Sequence, residues 1–146
     1  MTHSMNGREL PLDSWEMKSM VAYIRYIGDP PAEPRHPRLP EPPLAPSADR
    51  GAVVFETVCS ACHQTNGLGK RMGSSTQAMG YEFPPLWGPD SFNDAAGMDW
   101  VPRMTRFVMN NMPRGVDPEH PVLTLQQAWD VSTYVLAQPR PRYTGR

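Results

Sequence analysis

The chain has two cysteines, Cys59 and Cys62, three positions apart, with His63 directly after the second. A disulfide between them would close too small a loop for an ordinary structural bridge, so the pair reads as a redox dithiol, as metal ligands or as attachment points. Cys59-Ser60-Ala61-Cys62-His63 has the spacing at which two thiols form thioethers to both vinyl groups of one haem while the adjacent imidazole reaches its iron. A zinc site would need further Cys or His ligands, and only His3, His36 and His120 remain, all beside turn-forming or proline-rich sequence. A redox dithiol has no need of His63 and expects a strand before the motif, whereas a helical pattern precedes it here. One covalent haem c is therefore the expected cofactor.

The hydrophobic spacing predicts four helices. The first runs from Trp15 to Ile27, with Met17, Met20, Val21, Ile24 and Ile27 at helical intervals, Asp13 or Ser14 as cap and Gly28 as stop. The second starts at Ser47-Ala48-Asp49, with Asp49 as the expected cap, and runs through Gly51, Val54 and Phe55 into the cysteine motif. Asp99 and Pro102 open a third, which ends at Asn110-Asn111. Thr124 caps the last, from Leu125 to Ala137, before Pro139. Gly51 and Phe55 suit a close crossing with Val131 and Tyr134, because glycine lets two helices approach.

Between the first two helices, positions 30, 31, 34, 37, 40, 42, 43 and 46 are proline, which removes amide donors and favours an extended strap. The stretch from Gly67 to Gly97 is far longer than loops in compact domains usually run unless something packs inside them, and a buried cofactor is such a filler. The first helix also echoes the last: Leu12-Asp13-Ser14-Trp15 with Val21-Ala22-Tyr23-Ile24 resembles Leu123-Thr124-Leu125-Gln126 with Ser132-Thr133-Tyr134-Val135. Both then meet proline, which suggests that residues 1–28 are the tail of a preceding, similar domain.

Ten methionines compete for the sixth iron position. Met112 stands after a helix end and before Pro113 and Gly115, where a loop methionine can face the open side of the ring. Met98 is the next candidate, then Met72 and Met79, while Met104 and Met109 read as flexible core filler. Lys70 is a further possibility, since a desolvated amine can ligate iron once deprotonated. On the proximal side, Pro84-Pro85-Leu86-Trp87-Gly88 can present a carbonyl to His63 Nδ1–H and fix its tautomer, with Pro85, Leu86 and Trp87 as pocket residues.

At 146 residues, 39% of them hydrophobic, the chain can bury one modest core. A formal net charge of -1 leaves no electrostatic footprint for nucleic acid. No apolar run is long enough to span a membrane, and the opening residues lack a signal-peptide pattern.

Helix, C-x-x-C-H, proline loop, methionine loop and final helix, in that order, resemble the small all-α cytochrome c fold, with three to four helices around one covalent haem, over about Ser47 to Gln138. More narrowly, Phe55 to His63, Tyr81 to Asp94, Asn111-Met112-Pro113 and Ala128 to Val131 resemble the second haem domain of dihaem thiosulfate dehydrogenases. Repeat, composition and resemblance together divide the chain into residues 1–28 from a preceding cytochrome domain, a proline-rich linker at 29–46, a cytochrome c domain at 47–138 and a basic, solvated tail at 139–146, where Arg140, Arg142 and Arg146 lie. In that family the first haem, held by histidine and an unusual cysteine, couples two thiosulfates to tetrathionate, and the second passes electrons outward. It implies Cys59, Cys62, His63 and Met112 as the electron-exit site and a redox partner protein as acceptor. The chain has no first C-x-x-C-H and no third cysteine, so as written it is not expected to oxidise thiosulfate. Haem is attached outside the bacterial cytoplasm, so a periplasmic location follows, and the missing signal and first domain suggest the C-terminal portion of a longer dihaem protein.

Overall fold

The computed structural model describes residues 10–28, 39–73 and 80–145. Five helices and one small hairpin are described: α1 (Trp15–Gly28), α2 (Ala48–Val54), a π-helical turn (Phe55–Cys59), α3 (Ser60–His63), β1 (Lys70–Arg71), β2 (Tyr81–Phe83), α4 (Val101–Asn111) and α5 (Leu125–Leu136). The four predicted helices are present. The antiparallel pairing of β1 with β2 inside the long loop was not expected, and it is stabilised across its strands by Lys70–Glu82 at 2.7 Å.

Helix starts follow local hydrogen bonding. Ser14 Oγ accepts from Met17 N–H at 3.2 Å, so serine rather than Asp13 begins α1. Ser47, not Asp49, caps α2 by accepting from Arg50 N–H at 3.4 Å, which leaves Asp49 in the first turn, where its charge complements the helix dipole. Asp99 does not cap α4. Trp100 occupies that position without a side-chain bond, and the Asp99 carboxylate turns to Arg140 at 3.4 Å. Thr124 and Gln127 close a full capping box on α5.

The core forms where α2 crosses α5 and α4 packs beside it. Val54, Phe55, Trp87, Met104, Leu123, Ala128, Val131 and Val135 make one cluster. Phe55, Trp87 and Tyr134 join it through ring contacts with centroids 4.9 to 5.8 Å apart. Gly51 is the close-approach position: a Cβ there would stand 2.7 Å from Tyr134 Cβ and inside the Asp130 backbone. By contrast, α1 buries none of its residues, and Trp15 and Tyr26 are 73% and 82% exposed.

The described end of the proline strap is fastened to α5. Trp129 Nε1–H donates to the Pro40 carbonyl, and Leu44 N–H donates to Gln126. Asp130, with a side chain only 3% exposed, accepts from Ser47 N–H at 2.8 Å, from Arg50 Nε and Nη2 at 2.8 and 2.9 Å, and from Gln126 at 3.0 Å. Burial pushes its carboxyl up, but those donors outweigh burial and hold it below the ordinary carboxylate value. A depressed native pKa contributes stability that is complete above about pH 4 and is lost as pH falls through the native value. Asp130→Asn is therefore expected to lower holoprotein stability by about 1–3 kcal/mol at neutral pH and to flatten its acid-side decline, read by denaturant titration from pH 3 to 7.

Candidate functional site

The cysteine motif is presented by a change of helical winding. Ser60 N–H bonds back to the Phe55 carbonyl, five residues earlier, so the π-helical turn inserts one extra residue just before α3 and re-aims the turn that carries Cys62 and His63. Both cysteines are half-buried free thiols. The Cys59 thiol is pushed up to about 11, by burial first and by Cys62 second.

His63 is 8% exposed, and its Nδ1 lies 2.8 Å from the Pro84 carbonyl. A carbonyl can only accept, so Nδ1 carries a proton, and in the neutral imidazole Nε2 is the nitrogen left with a lone pair. The loop that delivers this carbonyl is tied to the motif: Gly69 N–H donates to His63 O at 3.1 Å, and Leu86 N–H donates to Gly67 O at 2.8 Å. Gly67 has φ +65° and lies against the face of Trp87, where any side chain would strike the indole. Pro85 and Trp87 are buried and Leu86 is half-buried. Cys59, Leu86, Phe92, Met98, Val108 and Met109 all pack on the central cluster.

The methionines separate. Met104 is 5% exposed inside the core, and Met109 packs against it. Met112 is half-buried on extended backbone just past α4, its N–H bonded to Val108 O at 3.0 Å and its peptide to Pro113 cis. Met72 is 41% exposed on the hairpin, and Met79 lies outside the described residues. Lys70 is engaged by Glu82 and lies over the Phe83 ring. A cleft of about 800 Å3 runs along α4 between Trp100, Phe107, Trp129 and Leu39; of the described candidate ligands only Met98 lines it. Among the described residues no three His, Cys, Asp or Glu side chains converge as a metal site, and of the histidines proposed against a zinc reading only His120, paired with Asp117 at 2.8 Å, is described.

The donor set fits a covalent haem: two thiols one helical turn apart and a buried imidazole whose Nδ1 is already engaged. The cytochrome c family profile matches residues 48–139. The chain belongs to the cytochrome c family. As a cytochrome c domain it carries a covalent c-type haem and transfers electrons through it. Over 145 residues this cytochrome is 37% identical to the thiosulfate dehydrogenase of Thiomonas intermedia, covering 95% of this chain and 44% of that protein. It is 37% identical to the thiosulfate dehydrogenase of Allochromatium vinosum, covering 96% and 51%. It superposes with a TM-score of 0.75 on a solved thiosulfate dehydrogenase of Marichromatium purpuratum in its as-isolated form, at 32% identity, covering 95% of this chain and 31% of that one. The chain thus spans about half the length of the curated relatives it matches. Among the described residues no helix is long and apolar enough to cross a membrane.

Sequence reasoning missed three site features: the π-helical turn, the Gly67 contact with Trp87 and the burial of Arg140. A glycine four residues after the motif histidine is the only local signal for any of them.

Proposed function

We propose that this cytochrome is the electron-exit haem domain of a thiosulfate dehydrogenase-like protein in the periplasm. Cys59 and Cys62 hold the haem through thioethers, His63 Nε2 is the proximal ligand and Met112 the sixth, with Met98 as the alternative. Pro85, Leu86 and Trp87 line the proximal side. The single observation that carries this reading is the 2.8 Å contact from His63 Nδ1 to the Pro84 carbonyl, which leaves only Nε2 to meet a metal and makes the imidazole a stronger donor. Bound haem supplies one-electron exchange between ferric and ferrous iron. The chain's own part is to orient the imidazole, supply the sulfur and exclude water.

Residues 1–28 are read as the last helix of a preceding haem domain, with 29–46 as linker; the apolar residues that α1 leaves uncovered support this, since a helix face of this kind is ordinarily packed. Residues 1–9 and 29–38 lie outside the described residues. The names of the relatives favour a second reading, in which a complete dihaem protein oxidises thiosulfate or reduces tetrathionate and this domain relays its electrons to a partner protein. Intact mass together with the reduced pyridine-haemochrome spectrum of the native protein tests both readings against a dedicated single-haem carrier. Two haems on a longer chain are expected, and one haem on a chain of this length would reduce the function to a dedicated electron carrier.

A further inference from the structure

Arg140 follows α5 in the segment that the sequence assigns to a solvated basic tail, and the structure corrects that assignment. Gly88 N–H donates to Pro139 O at 2.8 Å, Asp94 N–H to Pro141 O at 3.1 Å, and Tyr143 N–H to Asp94 Oδ1 at 2.7 Å, so the segment is laced to the loop that follows Trp87. The Arg140 side chain is 6% exposed. Its guanidinium lies over the Phe92 ring, 4.4 Å from the centroid. Nη2 donates to Val135 O at 2.7 Å, and Nε faces Asp99 Oδ1 at 3.4 Å. Nη1 is buried with no partner among the described residues.

A buried guanidinium normally has its donors filled, because an orphaned donor on a charged group forfeits its hydration without return. Burial draws the Arg140 guanidinium below its ordinary range, and Asp99 and Asp94 oppose this without restoring it. Among the described residues, Nη1 is thus the guanidinium nitrogen left without an acceptor. Phe92 and Met98, at either end of the loop that Arg140 braces, pack on the same cluster as Cys59 and Leu86. A haem held by Cys59, Cys62 and His63 brings carboxylates of its own, the propionates, on the edge away from its thioether links.

We propose that Arg140 Nη1 donates to a haem propionate, making Arg140 a positioning residue that holds the carboxylate edge of the ring and keeps that propionate ionised. This rests on the haem assignment above. The test uses holoprotein with Arg140→Gln and Arg140→Lys, each checked for thioether haem by its pyridine-haemochrome spectrum. Arg140→Gln is expected to shift the propionate bending band in resonance Raman and to lower the reduction potential, since an unpaired propionate favours ferric iron; Arg140→Lys restores the potential in part. Unchanged band and potential, with only a lowered melting temperature, would show that Arg140 merely braces the 92–99 loop and would overturn the proposal. If neither variant accumulates haem, NMR of the unaltered protein decides: the Arg140 Nη–H resonances shift strongly between ferric and ferrous states if they sit at the ring edge, and stay in place if the proposal is wrong. Absence of thioether haem from the unaltered protein would instead sink the cofactor assignment.

Discussion

Protein carrying both Cys59→Ala and Cys62→Ala is expected to contain no covalent haem. Each thioether needs a thiol whose sulfur bonds one vinyl carbon while the thiol hydrogen goes to its neighbour, and alanine offers neither atom. The two thiols are the only sulfhydryls in the chain, so nothing can substitute for them. They are half-buried on the turns that lead into His63. The imidazole and its Pro84 contact survive in the variant, so residual haem would be held by coordination alone. Acidified organic solvent should extract all of it, and the pyridine-haemochrome band should leave its thioether position. A ligand bound only to the native state adds stability in proportion to its affinity, so the same variant should also unfold at a lower temperature. Haem that stays attached would show that these cysteines are not the anchors.

Met112→Ala is expected to lower the reduction potential by about 0.2 V, a quarter of the roughly 0.8 V range over which axial ligands set haem potentials. Thioether sulfur favours the ferrous state, so its loss stabilises ferric iron. The ferric protein should also lose its sulfur-to-iron charge-transfer band. Met98→Ala is the control, because Met98 packs on the core and lines the cleft beside α4. If Met98→Ala removes the band and Met112→Ala does not, the sixth ligand is Met98. Met104 is 5% exposed inside the cluster, and its truncation should cost stability rather than potential.

Much of the local structure was legible because its causes lie within a few residues. Thr124 caps α5 through Gln127, Ser14 starts α1 through Met17, and the cysteine–histidine spacing announces the attachment chemistry. Gly51 was legible for a related reason: a glycine amid bulky apolar neighbours on a helix has little use except to admit another helix, and α5 fills that space. Errors arose where two local candidates were nearly equivalent. Asp49 and Ser47 are both good caps, and Asp99 has the chemistry to cap α4, but its carboxylate found a buried cation instead.

By itself, then, the sequence determined the four predicted helices, the all-α class and the C-x-x-C-H spacing at Cys59, Cys62 and His63, because periodicity and ligand spacing act over one or two turns. Only the tertiary structure decided that the start of α2 is clamped by Asp130 some eighty positions away, that Gly67 lies against Trp87, and that among the described residues Arg140 Nη1 is buried without an acceptor. The physical reason is that the burial of a charge depends on which distant segment covers it. That choice is made by packing of the whole chain, and no window of neighbouring residues contains it.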